Sequence, residues 1–262
     1  NQPPPGNVIL PERYLQALAD PALVGARWVL ALDDDFFRRL ASREPAAAAA
    51  WKRIAAHLAY WEENRHWRNW RLHGRLALVQ DIDAGALLSQ GILDMIISRQ
   101  IPTLPVPLSK LSEEALRGAR LAINVDPAAL SADQKALLSR FAASGATLVS
   151  GPPGWKMPSP RPDQITLDKQ DVEKLDAIWR EVNSLIGRSN LGVRLFNVSG
   201  MLSSLLASPG GDQVVLHLVN FTRYPVENVT AHLAGKFRKA TLLQPEAPPQ
   251  PLEVYDVDQG SG

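Results

Sequence analysis

The stretch from 121 to 154, LAINVDPAALSADQKALLSRFAASGATLVSGPPG, constrains the fold of this chain more than any other. Two short apolar runs, LAINV and ATLVSG, are bounded by turn residues, and a segment with apolar positions three and four apart lies between them. Ser131 stands where a helix N-cap belongs and Gly145 where a helix ends. A serine hydroxyl can take a free N–H of the first turn, and glycine adopts the left-handed backbone that closes the last. Strand, helix and strand joined by short turns imply parallel pairing and a right-handed crossover. The alternation continues upstream. RLALVQDID reads as a strand ending at Asp81, and AGALLSQGILDMIISRQ as a helix with Leu87, Leu88, Ile92, Met95 and Ile96 along one stripe. IPTLPVP reads as a strand that its prolines place near a sheet edge, and SEEALRG as a short helix capped by Ser112. The expected fold is α/β, with a flavodoxin-like doubly wound parallel sheet over residues 73–165.

The flanks follow other periods. In residues 1–72, NVILP and RWVLALDDD read as strands, with Val29, Leu30, Ala31 and Leu32 as a buried apolar run. PERYLQALAD reads as a helix with Pro11 in its first turn, and a longer helical stretch, interrupted near Pro45, runs from Phe36 to about Trp67. Trp51, Ile54, Leu58 and Trp61 share one helical face. Two β/α units cannot close a barrel or cover a sheet, so this segment is expected to need a partner. Residues 166–262 open with a linker helix, DKQDVEKLDAIWREVNSLIG, expected to turn Val172, Leu175, Ile178, Trp179 and Val182 inward. After Gly192 simple alternation takes over. VRLFNVSG, MLSSLLASP, QVVLHLVNF, ENVTAHLAG, FRKATLLQP and LEVYDVD read as short strands of an antiparallel β-sandwich.

Composition narrows the chemistry. With 262 residues, 45% of them hydrophobic, the chain has room for two or three cores. A net charge of +1 leaves no electrostatic footprint for nucleic acid. No apolar run approaches the roughly 20 residues that span a bilayer. There is no cysteine, hence no thiol nucleophile, disulfide or cysteine-ligated metal. The chain opens NQPPPG without an initiator methionine or signal peptide and stops at DQGSG, so both ends read as cut.

Candidate site residues lie where parallel strands end, because ligands of open α/β sheets and barrels bind there. Asp81 and Asp83 follow one strand, Asp33, Asp34 and Asp35 another, and Asn124 and Asp126 a third. The competing reading of the aspartates is helix capping, since short carboxylates favour the positive end of a helix. Glycoside hydrolysis requires two carboxylates roughly 5 to 10 Å apart, and spacing in sequence brings no two of these together. The five histidines, His57, His66, His73, His217 and His232, make no HxH or HxxxH pair, so no metal site is expected. Trp51, Trp61, Trp67 and Trp70 fit packing at helical spacing better than a sugar platform. The loop DIDAGALLS lacks the run of Ser, Thr and Gly that would hold a phosphate, and GxGxxG and GKS/GKT are both missing, so no cofactor is expected.

ARLAINVDPAALSADQKALLSRFAASGATLVSGPPG resembles the class I amidotransferase-like domain that follows the catalytic barrel in some glycoside hydrolases and serves some β-galactosidases for trimerisation. Ser131, Gln134, Phe141, Gly145, Leu148, Val149 and Gly151 carry the likeness. VVLHLVNFTRYPVENVTAHLAGKFRKATLLQP is similar to the terminal β-sandwich of such proteins, and ARWVLALDDD to a late barrel strand. Glutamine amidotransferases place a nucleophilic cysteine where this chain reads NVDPAAL, and no Gly-x-Ser-x-Gly replaces it. The resemblance therefore implies a layout kept without its nucleophile: the carboxyl-terminal, non-catalytic scaffold of a glycoside-hydrolase-like protein in carbohydrate metabolism. It further implies a carbohydrate ligand for the whole protein, a role in joining identical subunits, and a periplasmic or secreted location. Two other readings stay open: a glycoside hydrolase working through Asp81, Asp83, Asn124 and Asp126, and a stand-alone carbohydrate-binding or interaction protein.

Overall fold

A strand is stable only where its backbone finds another backbone, and four segments of this chain satisfy one another in that way. The computed structural model describes residues 9–23, 25–80, 92–93, 96, 101–125, 127–151, 169–185, 192–198, 200–222, 224–226 and 228–256. In chain order the helices are α1 (Pro11–Leu23), α2 (Asp34–Ala41), α3 (Pro45–Glu63), α4 (Ala132–Ala143) and α5 (Lys169–Leu185). The strands are β1 (Arg71–Leu72), β2 (Leu76–Gln80), β3 (Thr103–Pro107), β4 (Leu121–Asn124), β5 (Thr147–Ser150) and β6 (Val193–Phe196). They continue as β7 (Met201–Ala207), β8 (Val214–Asn220), β9 (Thr230–Leu233), β10 (Ala240–Gln244) and β11 (Ala247–Leu252). Asn1–Trp70 with Gly235–Gly262 make one compact unit and Arg71–Ala234 the other.

Within Arg71–Ala234 the parallel sheet has the order β3-β2-β4-β5. That is the flavodoxin-like order, and the expected α/β class holds. The central strands bury both faces. All of β4 and four residues of β2 are buried, which is why LALV and LAIN read as unbroken apolar runs. Ala77, Val79, Val106 and Ala122 share one face with Leu116, Leu130 and Leu138. The proline-bearing β3 lies at the edge, as its composition predicts. The α4 cap is complete: the Gln134 N–H donates to Ser131 Oγ, and the Ser131 N–H donates to Gln134 Oε1 at 2.8 Å. Gln134 Nε2 also donates to the Leu108 carbonyl at 3.0 Å, tying the helix start to the segment after β3. Gly145, past the helix end, has φ +91°.

Two antiparallel sheets, β1-β7-β8 and β6-β9, form the β-rich remainder of this unit. Ser204 and His217 face each other across β7 and β8, and both are buried. Burial pushes the His217 imidazole down to about 4.

Several local expectations differ from the structure. Trp28–Leu32 is not a strand: its side chains alternate between half-buried and exposed, Val29 is 93% exposed, and residues 9–70 otherwise fold as helices that offer no sheet edge. SEEALRG forms consecutive turns instead of a helix, although Ser112 Oγ still accepts the Ala115 N–H at 3.1 Å. Val172 on α5 is 44% exposed, not turned inward. The last strand is Ala247–Leu252, upstream of most of LEVYDVD. Most of AGALLSQGILDMIISRQ lies outside the described residues, while its Ile92 and Ile96 are buried.

Replacing Ser131 with Ala removes one half of the capping box and is expected to lower stability by about 1 kcal/mol in urea titration, the usual cost of a lost N-cap. His217 yields a pH dependence. Its folded value lies below the unfolded 6.5, so the unfolded chain binds protons first and stability falls as pH drops from 6.5 toward 4. At roughly 1.4 kcal/mol per pH unit that loss reaches about 3 kcal/mol. Urea midpoints at pH 7 and pH 4 should show it, and a His217→Gln chain should lose that part of the slope.

Candidate functional site

The strand order reverses between β2 and β4, and in open α/β sheets ligands bind outside the carboxyl ends of the strands at such a point. Asn124, the last residue of β4, sits at that point, in register with Val79 on β2 and Ser150 on β5. It is only 3% exposed, yet its side-chain Nδ2 has no hydrogen-bond partner. Its main chain is engaged, because the Gly151 N–H donates to the Asn124 carbonyl at 2.8 Å. The turn after β5 packs so closely that a Cβ on Gly151 would stand 1.9 Å from the Val125 carbonyl oxygen, and only glycine fits. Asp81, Asp83 and Asp126 lie outside the described residues. What the described strand ends offer is the buried Asn124 amide, the half-buried Gln80 amide, backbone groups and the Ser150 hydroxyl. That set can hold an acceptor, but no base stands among these described strand-end residues to activate a nucleophile.

The second acidic cluster belongs to the other unit and is built as a helix start. Asp33 is buried and caps α2, its Oδ1 accepting the N–H groups of Asp35 and Phe36 at 3.0 Å each. The Tyr14 hydroxyl donates to Asp33 Oδ2 and accepts the Asp33 N–H at 3.1 Å. Burial works to raise the Asp33 carboxyl, but the Tyr14 hydroxyl and the backbone N–H groups together hold it below its ordinary value. Burial, aided by the bond to Asp33, pushes Tyr14 up to about 12, so the tyrosine remains the donor. Asp34 is exposed. Asp35 pairs with Arg38 at 3.5 Å and Arg39 at 3.7 Å, and Arg39 also grips Glu44 at 2.7 Å. Nineteen residues separate Tyr14 from Asp33, and no local pattern announces their pairing.

The histidines do not converge on either cluster. His57 packs near Glu246 at 3.9 Å, while His217 and His232 lie on the antiparallel strands β8 and β9. Among the described residues no three of His, Asp and Glu gather as metal ligands would. Trp61 and Trp67 meet edge to face at 6.3 Å in a cluster with Tyr60, so these aromatics pack on one another.

An α/β chain with a flavodoxin-like sheet and antiparallel sheets of this kind has a counterpart among glycoside hydrolases. The fold is similar to that of α-L-fucosidase isoenzyme 2 from Paenibacillus thiaminolyticus, with a TM-score of 0.53 at 12% identity. The likeness covers 91% of this chain and 50% of the fucosidase chain, so this chain spans about half of that enzyme's length. No protein-family model and no curated protein sequence matches it.

An orphaned buried amide costs roughly 1–3 kcal/mol, whereas an apolar group of similar shape costs nothing of the kind. Asn124→Leu is therefore expected to be neutral or stabilising by about 1 kcal/mol in denaturant titration. A loss above about 2 kcal/mol would show that the amide is partnered.

Proposed function

We propose that this chain is the carboxyl-terminal, non-catalytic region of a glycoside-hydrolase-like protein, supporting the part of that protein that acts on carbohydrate. The observation that carries the reading is the Trp28–Leu32 run. It keeps the period-of-two exposure of a strand, has Val29 almost wholly exposed, and leads into the α2 cap at Asp33 with no ladder partner among the described residues. Such a run is stable as part of a sheet whose neighbouring strands come from elsewhere in a larger protein. The fucosidase likeness, spanning half of that enzyme, supports the same reading. Within it, Asp33 serves α2 and its tie to Tyr14, while Asp34 and Asp35 stand at the helix start on the side of the unpaired run. Asp81, Asp83 and Asp126 stay in reserve as the acids of the enzymatic alternative, with Asn124 at the buried end of β4.

The test is hydrolysis of an aryl α-L-fucoside by the chain itself. The expected result is no turnover above buffer. Turnover that disappears when Asp81 and Asp83 are both changed to Asn would overturn the scaffold reading in favour of a site at the sheet's carboxyl ends.

A further inference from the structure

The β10–β11 hairpin is a two-stranded sheet whose two edges are built differently. Its register pairs Ala240 with Leu252, Thr241 with Pro251, Leu242 with Gln250 and Gln244 with Ala247. Between the last two pairs β10 advances two residues and β11 three, so the extra residue is on β11, at Pro248–Pro249. Proline has no N–H, so the inward donors of β11 fall on Gln250 and Leu252, and Pro251 occupies the outward position. The outer edge of β11 is thereby closed to a further strand. β10 carries no proline and no bulge. Its inward residues are Ala240, Leu242 and Gln244, and the N–H and carbonyl groups of Thr241 and Leu243 point to the open edge. Every residue of β10 after Ala240 is exposed, Leu242 at 36% among them.

We infer that the open edge of β10 pairs antiparallel with β10 of a second copy of this chain, forming a four-stranded sheet across a two-fold axis at Leu242. An antiparallel pair of identical strands is self-complementary, as a two-fold interface must be. With Leu242 opposite its own copy, Thr241 of each chain exchanges both backbone hydrogen bonds with Leu243 of the other, using the outward groups that β10 leaves free. Leu242 then occupies a non-hydrogen-bonded pair, where side chains approach most closely, with Cα atoms about 4.5 Å apart. Charge fits the same register. Basic Lys236, Arg238 and Lys239 precede β10, and Glu246 follows it in the turn, so antiparallel pairing brings the basic flank of each copy to the turn end of the other. Glu246 is held in place by Arg53 of its own chain at 3.1 Å and keeps 43% of its side chain exposed. The contact is a single strand pair, below the roughly 1,000 Å² of a stable interface, so the dimer is a weak one. It does not depend on the proposed scaffold role.

The chain has no cysteine, so Leu242→Cys supplies one thiol per copy, at a Cα separation that suits a disulfide. Under mild oxidation this variant should form a reducible dimer at least tenfold faster than Ser144→Cys, an exposed position on the other unit. Adding Thr241→Pro, which deletes an outward N–H and leaves the hairpin ladder intact, should return the rate to that of Ser144→Cys, while Thr241→Val should keep it fast. Equal rates for Leu242→Cys and Ser144→Cys would overturn the proposal. So would a folded Thr241→Pro variant that cross-links undiminished. Should Thr241→Pro fail to fold, the comparison of the two cysteine positions decides alone.

Discussion

Whether a strand's backbone finds a partner governs this molecule at every level. In the parallel sheet β2 and β4 are paired on both edges and buried on both faces, so their backbones are paired on both sides while their apolar side chains make the core. Trp28–Leu32 has the pattern of a strand and no ladder among the described residues. β10 and β11 pair with each other, and prolines close one of the two remaining edges. The chain thus contains strands that are complete, half-complete and unpartnered, and its proposed roles lie with the latter two kinds.

Polar groups at the strand ends divide by the same bookkeeping. Asp33 spends its oxygens on two N–H groups of α2 and on Tyr14, which leaves it a structural carboxylate. Asn124 sits at the position of greatest functional promise in a doubly wound sheet, yet holds only an unpaired amide there. A nucleophile in that place would need a base within reach, and none stands among the described strand-end residues. The fold of a reactive family and a reactive site are separate properties of a chain.

Much of the fold was legible from local chemistry. Ser131, Gln134 and Gly145 announced α4 because caps act over three or four residues. LALV and LAIN announced buried strands because a run apolar at every position has both faces covered. The prolines of β3 announced an edge. Expectations failed where a partner from a distance decides. VLAL has the composition of a strand, but composition cannot supply the neighbouring backbone. The last strand, expected at LEVYDVD, lies at APPQPL instead, where the prolines fall in a bulge and on an outward edge that needs no donor. The Tyr14–Asp33 pair, which most tightly holds the start of α2, spans a distance in sequence that no periodicity covers.

By itself the sequence determined the α/β class, the parallel pairing of the strands β2 to β5, the capping box of α4, and the lack of any thiol chemistry. These depend on intrinsic residue properties and on periods of two and 3.6. Only the tertiary structure decided which carboxylate is consumed by a cap, which amide is left buried without a partner, which apolar run goes unpaired, and which edge of the last hairpin is open. Each of these depends on what stands opposite a residue across a sheet or at a helix end, and that neighbour is distant in the chain.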